Sequence, residues 1–233
     1  SNFVKFCSLY NIKPMITPFT YESYYRIQNK GVKFIKIASY DCSSLNFLER
    51  IKSLKLPMVV STGATKKNEI INASKTLGNN LFAFLHCVTI YPTPLNKCNL
   101  QKINFLKKYS KNVGWSDHTL FERDGHAASL TSLLLGASII ERHFTVLNKT
   151  KTKDGPVSMN FKEAKEVVNY MKYDNKKILQ ILNEEYKNKW KLCIGKGGTN
   201  LSHIELLNRE YYRGRFAKFV QEKPNYNWQI EKL

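Results

Sequence analysis

The sequence predicts an α/β fold, an incomplete (β/α)8 TIM barrel of parallel strands and helices. Short apolar or β-branched runs recur between helical patterns, and each run is bounded by a polar or glycine-containing loop. About six such units follow one another, and this alternation implies parallel strands with right-handed crossovers. An open doubly wound sheet would fit the same periodicity. Polar side chains at the C-terminal end of nearly every predicted strand favour the barrel, because barrel enzymes build their active sites there.

The predicted elements follow from apolar spacing. Strands are expected over residues 15–19, 34–39, 58–61, 81–87, 113–116 and 137–143. Helices are expected over residues 21–30, 44–54, 67–77, 100–109 and 125–135, and one long amphipathic helix over residues 161–185. Residues 1–185 are therefore interpreted as the partial barrel domain. Residues 186–233 are interpreted as a linker and a truncated C-terminal segment.

Composition narrows the class of protein. The formal net charge of +19 raises nucleic acid as a partner, but the lysines are scattered along the chain, which favours a solvated surface. Binding of nucleic acid by a basic protein is kept as an alternative function.

The five cysteines are odd in number and form no CxxC pair, which is typical of reduced intracellular thiols. Apolar runs are shorter than the ~20 residues that cross a bilayer, so we expect no membrane partner and a cytoplasmic location.

Two predicted strand ends carry histidines at alternating positions. Ser116 and His118 share one face of their strand, and Glu141 and His143 share one face of the next. If both faces point inward, the imidazoles converge and suit a divalent transition metal such as manganese or zinc. The alternative is that each histidine is a hydrogen-bonded packing residue.

Lys36 lies in the apolar run of residues 34–39, where burying a cation is costly without an anionic partner. A phosphate or carboxylate ligand would supply that partner, and an acidic side chain of the protein is the alternative. Hydroxyl groups of Thr17, Thr89 and Ser116 also lie at predicted strand ends and could donate to the same anion. A glycine-rich stretch at residues 195–198 resembles a phosphate-cradling loop, but it follows no clear strand.

Several segments together resemble the sialic acid synthase family, which includes N-acetylneuraminate, legionaminate and pseudaminate synthases. They occur in the family's order: ITPF (16–19), KIAS (36–39), VVSTGA (59–64), YPTP (91–94), WSDHT (115–119) and ERHFT (141–145). The resemblance covers roughly residues 11–160. It implies a barrel whose first two strand–helix units are missing here, with a C-terminal antifreeze-like domain that is also absent.

The resemblance implies roles for individual residues. The phosphoenolpyruvate phosphate would be held at Thr17, Lys36, Ser39, Thr89 and Ser116. The amino sugar would contact Asp41, Tyr91 and Asp154, and a divalent metal, expected to be Mn2+, would bind His118 and His143. The candidate catalytic residues are Lys36, Asp41 and Glu141. Asp41 stands where neuraminic acid synthases carry glutamate, and Thr89 where they carry asparagine, which leaves the sugar open.

The reaction implied by the resemblance is a condensation of phosphoenolpyruvate with an N-acetylated amino-sugar aldehyde, which gives a sialic-type nonulosonic acid and phosphate. The metal would act as a Lewis acid on the aldehyde. A homodimer is expected for the full-length protein. Because the first two units of the family carry further active-site residues, an inactive family fragment is the alternative for this chain.

Overall fold

The computed structural model describes residues 2–20, 22–214, 218–220 and 223–225. The chain divides into two compact units. The first comprises the described residues of Ser1–Phe84 and Leu201–Leu233, and the second comprises Leu85–Asn200.

The first unit alternates helices and strands from its beginning. Its N-terminal elements are α1 (Asn2–Leu9), β1 (Met15–Ile16), α2 (Glu22–Ile27), β2 (Phe34–Ile37), α3 (Leu45–Lys52), β3 (Met58–Ser61) and α4 (Lys67–Leu77). The last part of the chain adds α10 (His203–Gly214), β7 (Lys218–Val220) and β8 (Lys223–Asn225) to this unit.

The second unit continues the alternation. Strand β4 (Leu81–His86) crosses the boundary between the units. It is followed by α5 (Ile103–Leu106), β5 (Asn112–Asp117), α6 (Phe121–Asp124), α7 (Ala127–Leu134), β6 (Ile139–Arg142), α8 (Phe161–Tyr170) and α9 (Asn175–Tyr186).

Strands β1 to β6 form a six-stranded sheet in the order of the sequence, and the registers of β1 with β2, β2 with β3 and β5 with β6 are parallel. Strand order that follows chain order, with helices between the strands, is the arrangement of a (β/α) barrel wall rather than of a doubly wound sheet, in which the order reverses. The predicted fold class, an incomplete barrel of about six parallel units, is confirmed.

Burial explains why these segments form strands. All four residues of β3 are buried, and Ile35 and Ile37 of β2 are fully buried on either side of Lys36. Strands covered on both faces have continuous apolar sequences, which is why the predicted and observed bounds of β3 coincide. Helix α4 also matches its prediction because Glu69 caps its first turn through the backbone amide of Lys66, at 2.7 Å.

One predicted helix was wrong. Residues 161–185 form two helices, α8 and α9, because Asp174 begins a new helix: its carboxylate accepts a hydrogen bond from the backbone N–H of Lys177 at 2.8 Å. An aspartate at the N-cap satisfies amides that a continuous helix would have bonded to its own carbonyls. The apolar spacing continues through the break, so periodicity alone joined the two helices.

The glycine-rich stretch at residues 195–198 packs against the protein itself. The side-chain oxygen of Asn99 accepts from the backbone N–H of Gly197 at 2.9 Å, and its amide donates to the carbonyl of Gly198 at 2.9 Å. A side chain at Gly195, which has a positive φ of 68°, would collide with Asn99. Gly195 and Gly197 allow this close packing, which gives them a structural role.

The C-terminal segment predicted over residues 186–233 falls partly outside the described residues, and its division from the barrel at residue 185 stays a prediction. In the described ranges, no helix is both long enough and apolar enough to cross a membrane.

Candidate active site

Lys36 of β2 is a buried cation of the first unit. Only 8% of the residue is exposed, and its ammonium group donates to the hydroxyl of Ser61 at 2.7 Å and to the carbonyl of Ile37 at 3.0 Å. Ser61 ends the neighbouring parallel strand β3, so the strand register places both groups at the same edge of the sheet. A buried ammonium group at the C-terminal ends of two strands is suited to an anionic ligand.

The turn that follows β2 carries two more candidate residues, Ser39 and Asp41. It is a 3-10 turn over Ser39–Asp41, closed by the backbone N–H of Asp41 to the carbonyl of Ala38 at 3.0 Å. The Ser39 hydroxyl accepts from the backbone N–H of Gly63 at 3.1 Å. Asp41 is 2% exposed. Thr17 lies in the loop after β1 and is half-buried.

In the second unit, Ser116 and Glu141 are opposite one another in the register of β5 and β6. The Ser116 hydroxyl donates to a Glu141 carboxylate oxygen at 2.6 Å, and Ser116 is 2% exposed. The alternation predicted for these strands is therefore present: Ser116 and Glu141 share one face, and His118 follows on the same side, 3.4 Å from the Ser116 hydroxyl.

His118 is held by both of its ring nitrogens. The Nδ1 atom lies 3.1 Å from the carbonyl of Val88, and the Nε2 atom lies 2.7 Å from the hydroxyl of Tyr91. A carbonyl can only accept, so Nδ1 carries the proton and Nε2 offers its lone pair. Burial, reinforced by the nearby His143, lowers the pKa of His118 to about 4 despite the hydrogen bond to Val88. At neutral pH the ring is uncharged, the form that binds metals.

His143 follows β6 and completes a cluster with His118, Tyr91 and Asp154. The ring centroids of His118 and His143 are 5.5 Å apart, and the Tyr91 ring lies 6.0 Å from that of His143. The Asp154 carboxylate is 3.7 Å from Nδ1 of His143, and both side chains are partly exposed. Thr89 precedes Tyr91 by two positions in the chain and is 4% exposed.

His118 and His143 are suited to serve as two ligands of a divalent metal. His118 presents an unprotonated nitrogen, and carbonyl bonding of the opposite nitrogen is the usual way in which a metal-binding imidazole is oriented. Within the ranges that the structure describes, no group of three or more histidine, cysteine, aspartate or glutamate side chains is arranged to hold a metal ion. A metal here would take its remaining ligands from water or substrate, which leaves it open for catalysis.

A buried ion pair supports the cluster from the opposite face of the sheet. Asp117 and Arg142 are opposite each other in the register, and their side chains are fully buried with Nη1 and Oδ2 3.0 Å apart. Arg142 also donates to the carbonyl of Thr119 at 2.7 Å, and Asp117 accepts from the backbone N–H of Thr119 at 2.9 Å. The ion pair was not predicted from the sequence, because it lies on the strand faces opposite the histidines. The charged residues at alternate positions in SDH and ERH were the available signal.

The predicted site residues other than Thr89 fall into two groups, one in each unit. The second unit brings together Tyr91, Ser116, His118, Glu141, His143 and Asp154. The first unit places Lys36 beside the Ser39–Asp41 turn, with Thr17 in the loop after β1. Their roles toward substrates remain predictions.

Comparison with known proteins supports the resemblance. The model of the NeuB family matches residues 1–181. An N,N'-diacetyllegionaminic acid synthase of Campylobacter jejuni is 36% identical over 161 residues, which cover 66% of this chain and 47% of that protein. A pseudaminic acid synthase of the same species is 30% identical over 186 residues, which cover 78% of this chain and 48% of that protein.

Solved structures share the fold. The spore coat polysaccharide biosynthesis protein SpsE of Bacillus subtilis aligns with a TM-score of 0.73 at 26% identity, covering 92% of this chain and 58% of that one. An N-acetylneuraminic acid synthetase of Leptospira borgpetersenii, solved with citrate, aligns with a TM-score of 0.67 at 28% identity, covering 90% and 68%. The chain spans about half the length of the curated relatives that it matches.

Proposed function

Because this chain belongs to the NeuB family, we propose that it supplies much of the active site of an enzyme that condenses phosphoenolpyruvate with an N-acetylated amino-sugar aldehyde. The products are a nonulosonic acid and inorganic phosphate. The observation that carries the proposal is the pairing of two histidine rings, 5.5 Å apart, at the ends of adjacent parallel strands. The names of relatives support a sialic-type product, since they include legionaminic and pseudaminic acid synthases.

The roles proposed for the first unit concern phosphoenolpyruvate. Lys36 would bind its phosphate together with Ser39 and Thr17, and the resemblance adds Thr89 and Ser116 to this set. Phosphate leaves with cleavage of its carbon–oxygen bond, so these groups stabilise negative charge and do not accept a phosphoryl group. Asp41, buried beside Ser39 in the same turn, is proposed to contact the sugar and to act in catalysis.

The roles proposed for the second unit concern the aldehyde. His118 and His143 would hold a divalent metal, expected to be Mn2+, which when bound supplies Lewis acidity to the carbonyl oxygen of the open-chain sugar. Tyr91 and Asp154 flank the two imidazoles and would position sugar hydroxyl or amide groups. Glu141, bonded to the Ser116 hydroxyl, would move a proton during water addition.

The enol carbon of phosphoenolpyruvate attacks the aldehyde carbon, and a carbon–carbon bond forms while the aldehyde oxygen takes up a proton. Water then adds to the cationic carbon, which still carries the phosphate, and gives up a proton. The carbon–oxygen bond to phosphate then breaks. One phosphoenolpyruvate, one sugar and one water thus give one nonulosonic acid and one phosphate.

The test is release of inorganic phosphate from phosphoenolpyruvate. Release should require both an N-acetylated amino sugar and Mn2+, and His118→Ala or His143→Ala should abolish it. His203→Ala, which changes an exposed histidine, is the control. The assay is run on the 233-residue chain. Phosphate release that is independent of sugar would contradict the proposal.

A further inference from the structure

Helix α10 packs against the rest of the first unit by its polar face. Glu205, Asn208 and Tyr212 are half-buried and Arg209 is 5% exposed, whereas Ile204, Leu207 and Tyr211 form an exposed stripe with 51%, 57% and 77% of their surface accessible. Most surface helices bury their apolar stripe. Hydrophobic burial therefore does not explain why α10 lies here, and its specific polar and aromatic contacts must hold it.

Arg209 makes the first of these contacts. Its guanidinium donates to the carbonyl of Ala64 at 2.8 Å and forms a bidentate ion pair with Glu69. Ala64 has a positive φ of 50° and sits in the turn between β3 and α4. A buried guanidinium with a carboxylate and a carbonyl as partners is well satisfied and fixes the geometry of both.

The turn that Arg209 holds contacts Ser39 directly. Gly63, the residue before Ala64, donates its backbone N–H to the Ser39 hydroxyl, and the Thr65 hydroxyl lies 3.3 Å from the Ser39 carbonyl. The chain of contacts thus runs from α10 through residues 63–65 to a residue proposed to bind phosphoenolpyruvate.

Tyr212 makes the second contact. Its ring stacks on Tyr40 with centroids 4.7 Å apart and an interplanar angle of 17°. Tyr40 is the middle residue of the Ser39–Asp41 turn, between the two candidate site residues. A stacked aromatic pair constrains both ring position and orientation.

We propose that α10 is a positioning element that holds the Ser39–Asp41 turn in its substrate-binding conformation, with Tyr212 acting on Tyr40 and Arg209 acting through residues 63–65. This inference rests on the proposed function for the identity of the ligand. The family model matches residues 1–181, and α10 lies after them. The positioning of the turn would therefore come from a segment outside the family match.

The experiment measures amide hydrogen exchange in the 233-residue chain and its variants. Tyr212→Ala should speed exchange of the Asp41, Cys42 and Ser44 amides roughly two- to tenfold, since one aromatic stack is lost. Tyr212→Phe keeps the ring and should match the wild type, as should Leu207→Ala, which removes an exposed side chain of the same helix. Arg209→Gln should speed exchange in the same turn and also at residues 63–65.

Unchanged exchange of the turn in Tyr212→Ala and Arg209→Gln would overturn the inference. Equal acceleration throughout β3 and α4 would also overturn it, because α10 would then be only a general support. Phosphoenolpyruvate binding, measured by calorimetry, should weaken by a similar factor in Tyr212→Ala. If the wild type binds no phosphoenolpyruvate, the proposed function fails, and the exchange data still decide whether α10 positions the turn.

Discussion

The guanidinium of Arg142 lies 3.0 Å from the carboxylate of Asp117, and both side chains are completely excluded from solvent. The pair joins the C-terminal ends of β5 and β6, immediately before His118 and His143. Its charges face away from the imidazole cluster and keep the two strand ends in register.

Removing one partner of this pair should be strongly destabilising. Arg142→Met leaves the Asp117 carboxylate buried without its cation, and we expect a loss of about 3–5 kcal/mol in the free energy of unfolding, measured by urea denaturation. The control is Arg123→Met, because the Arg123 side chain is 50% exposed and Lys189 remains 3.2 Å from the same partner, Asp124. Equal losses of unfolding free energy in the two variants would show that the buried pair stabilises the fold no more than the exposed pair does.

Stability should fall in acid partly through His86. Burial, and next the positive charge of Lys102, lower the pKa of His86 to about 3, against an ordinary value of 6.5. Between these pH values the unfolded chain binds a proton that the folded chain excludes, so the contribution of His86 to stability is complete above pH 6.5 and is lost as the pH falls toward 3.

The corresponding experiment compares His86→Gln with the wild type. The glutamine amide can still donate toward the Cys98 carbonyl, which lies 2.8 Å from Nε2 of His86. In the acid window the slope of unfolding free energy against pH should decrease by up to about 1.4 kcal/mol per pH unit. An unchanged slope would mean that His86 titrates alike in the folded and unfolded states.

Asp117 gives a second acid-sensitive contribution at lower pH. Burial alone would raise the pKa of Asp117, but the charge of Arg142 and the hydrogen bonds from Ser129 and Thr119 together lower it below the ordinary 3.8. This contribution is present above pH 3.8 and is lost as the pH falls through the lowered pKa. Asp117→Asn should therefore be less stable at neutral pH, with a difference from the wild type that narrows in acid.

The sequence predicted the strands best where burial is continuous. The bounds of β3 and α4 match because β3 is buried throughout and Glu69 caps the first turn of α4. The boundary between α8 and α9 was missed because Asp174 interrupts an otherwise regular pattern. Helix α10 was missed although Ile204, Leu207 and Tyr211 have helical spacing and Ser202 and Glu205 form a capping box that marks its beginning.

Alternation along β5 and β6 predicted the shared face of Ser116 and Glu141 and the approach of the two histidines. It could not predict which nitrogen of His118 is free, because that depends on the Val88 carbonyl, 30 residues earlier in the chain. The contact of α10 with the Ser39–Asp41 turn could not be predicted from the sequence either. About 170 positions separate Tyr40 from Tyr212, and a stacked pair of rings leaves no periodic pattern in the sequence.

Lys36 should dominate the binding of phosphoenolpyruvate by the first unit. Lys36→Met removes a buried ammonium group and should weaken binding roughly ten- to hundredfold, measured by calorimetry, because a hydrogen bond to a charged group is lost. Lys33→Met removes the same charge from an exposed position of the same unit and should leave binding nearly unchanged. Equal weakening by both variants would indicate a general charge effect in place of a specific site.

Tyr91 should compete with a metal for His118. Its hydroxyl lies 2.7 Å from Nε2, the unprotonated nitrogen that would bind the metal. Tyr91→Phe removes the competing hydroxyl and should tighten Mn2+ binding roughly two- to tenfold, as expected from the loss of one neutral hydrogen bond. Weaker Mn2+ binding in this variant would mean that the hydroxyl assists the metal and does not compete with it.

The most direct test of the histidine pair is a titration of Mn2+ into the 233-residue chain with phosphoenolpyruvate present, followed by the electron paramagnetic resonance signal of the free ion. The wild type should remove one Mn2+ per chain from solution in a saturable manner. The double variant His118→Ala/His143→Ala should show no saturable binding over the same concentrations, while His203→Ala binds like the wild type. Unchanged affinity in the double variant would contradict the assignment of these two imidazoles as metal ligands.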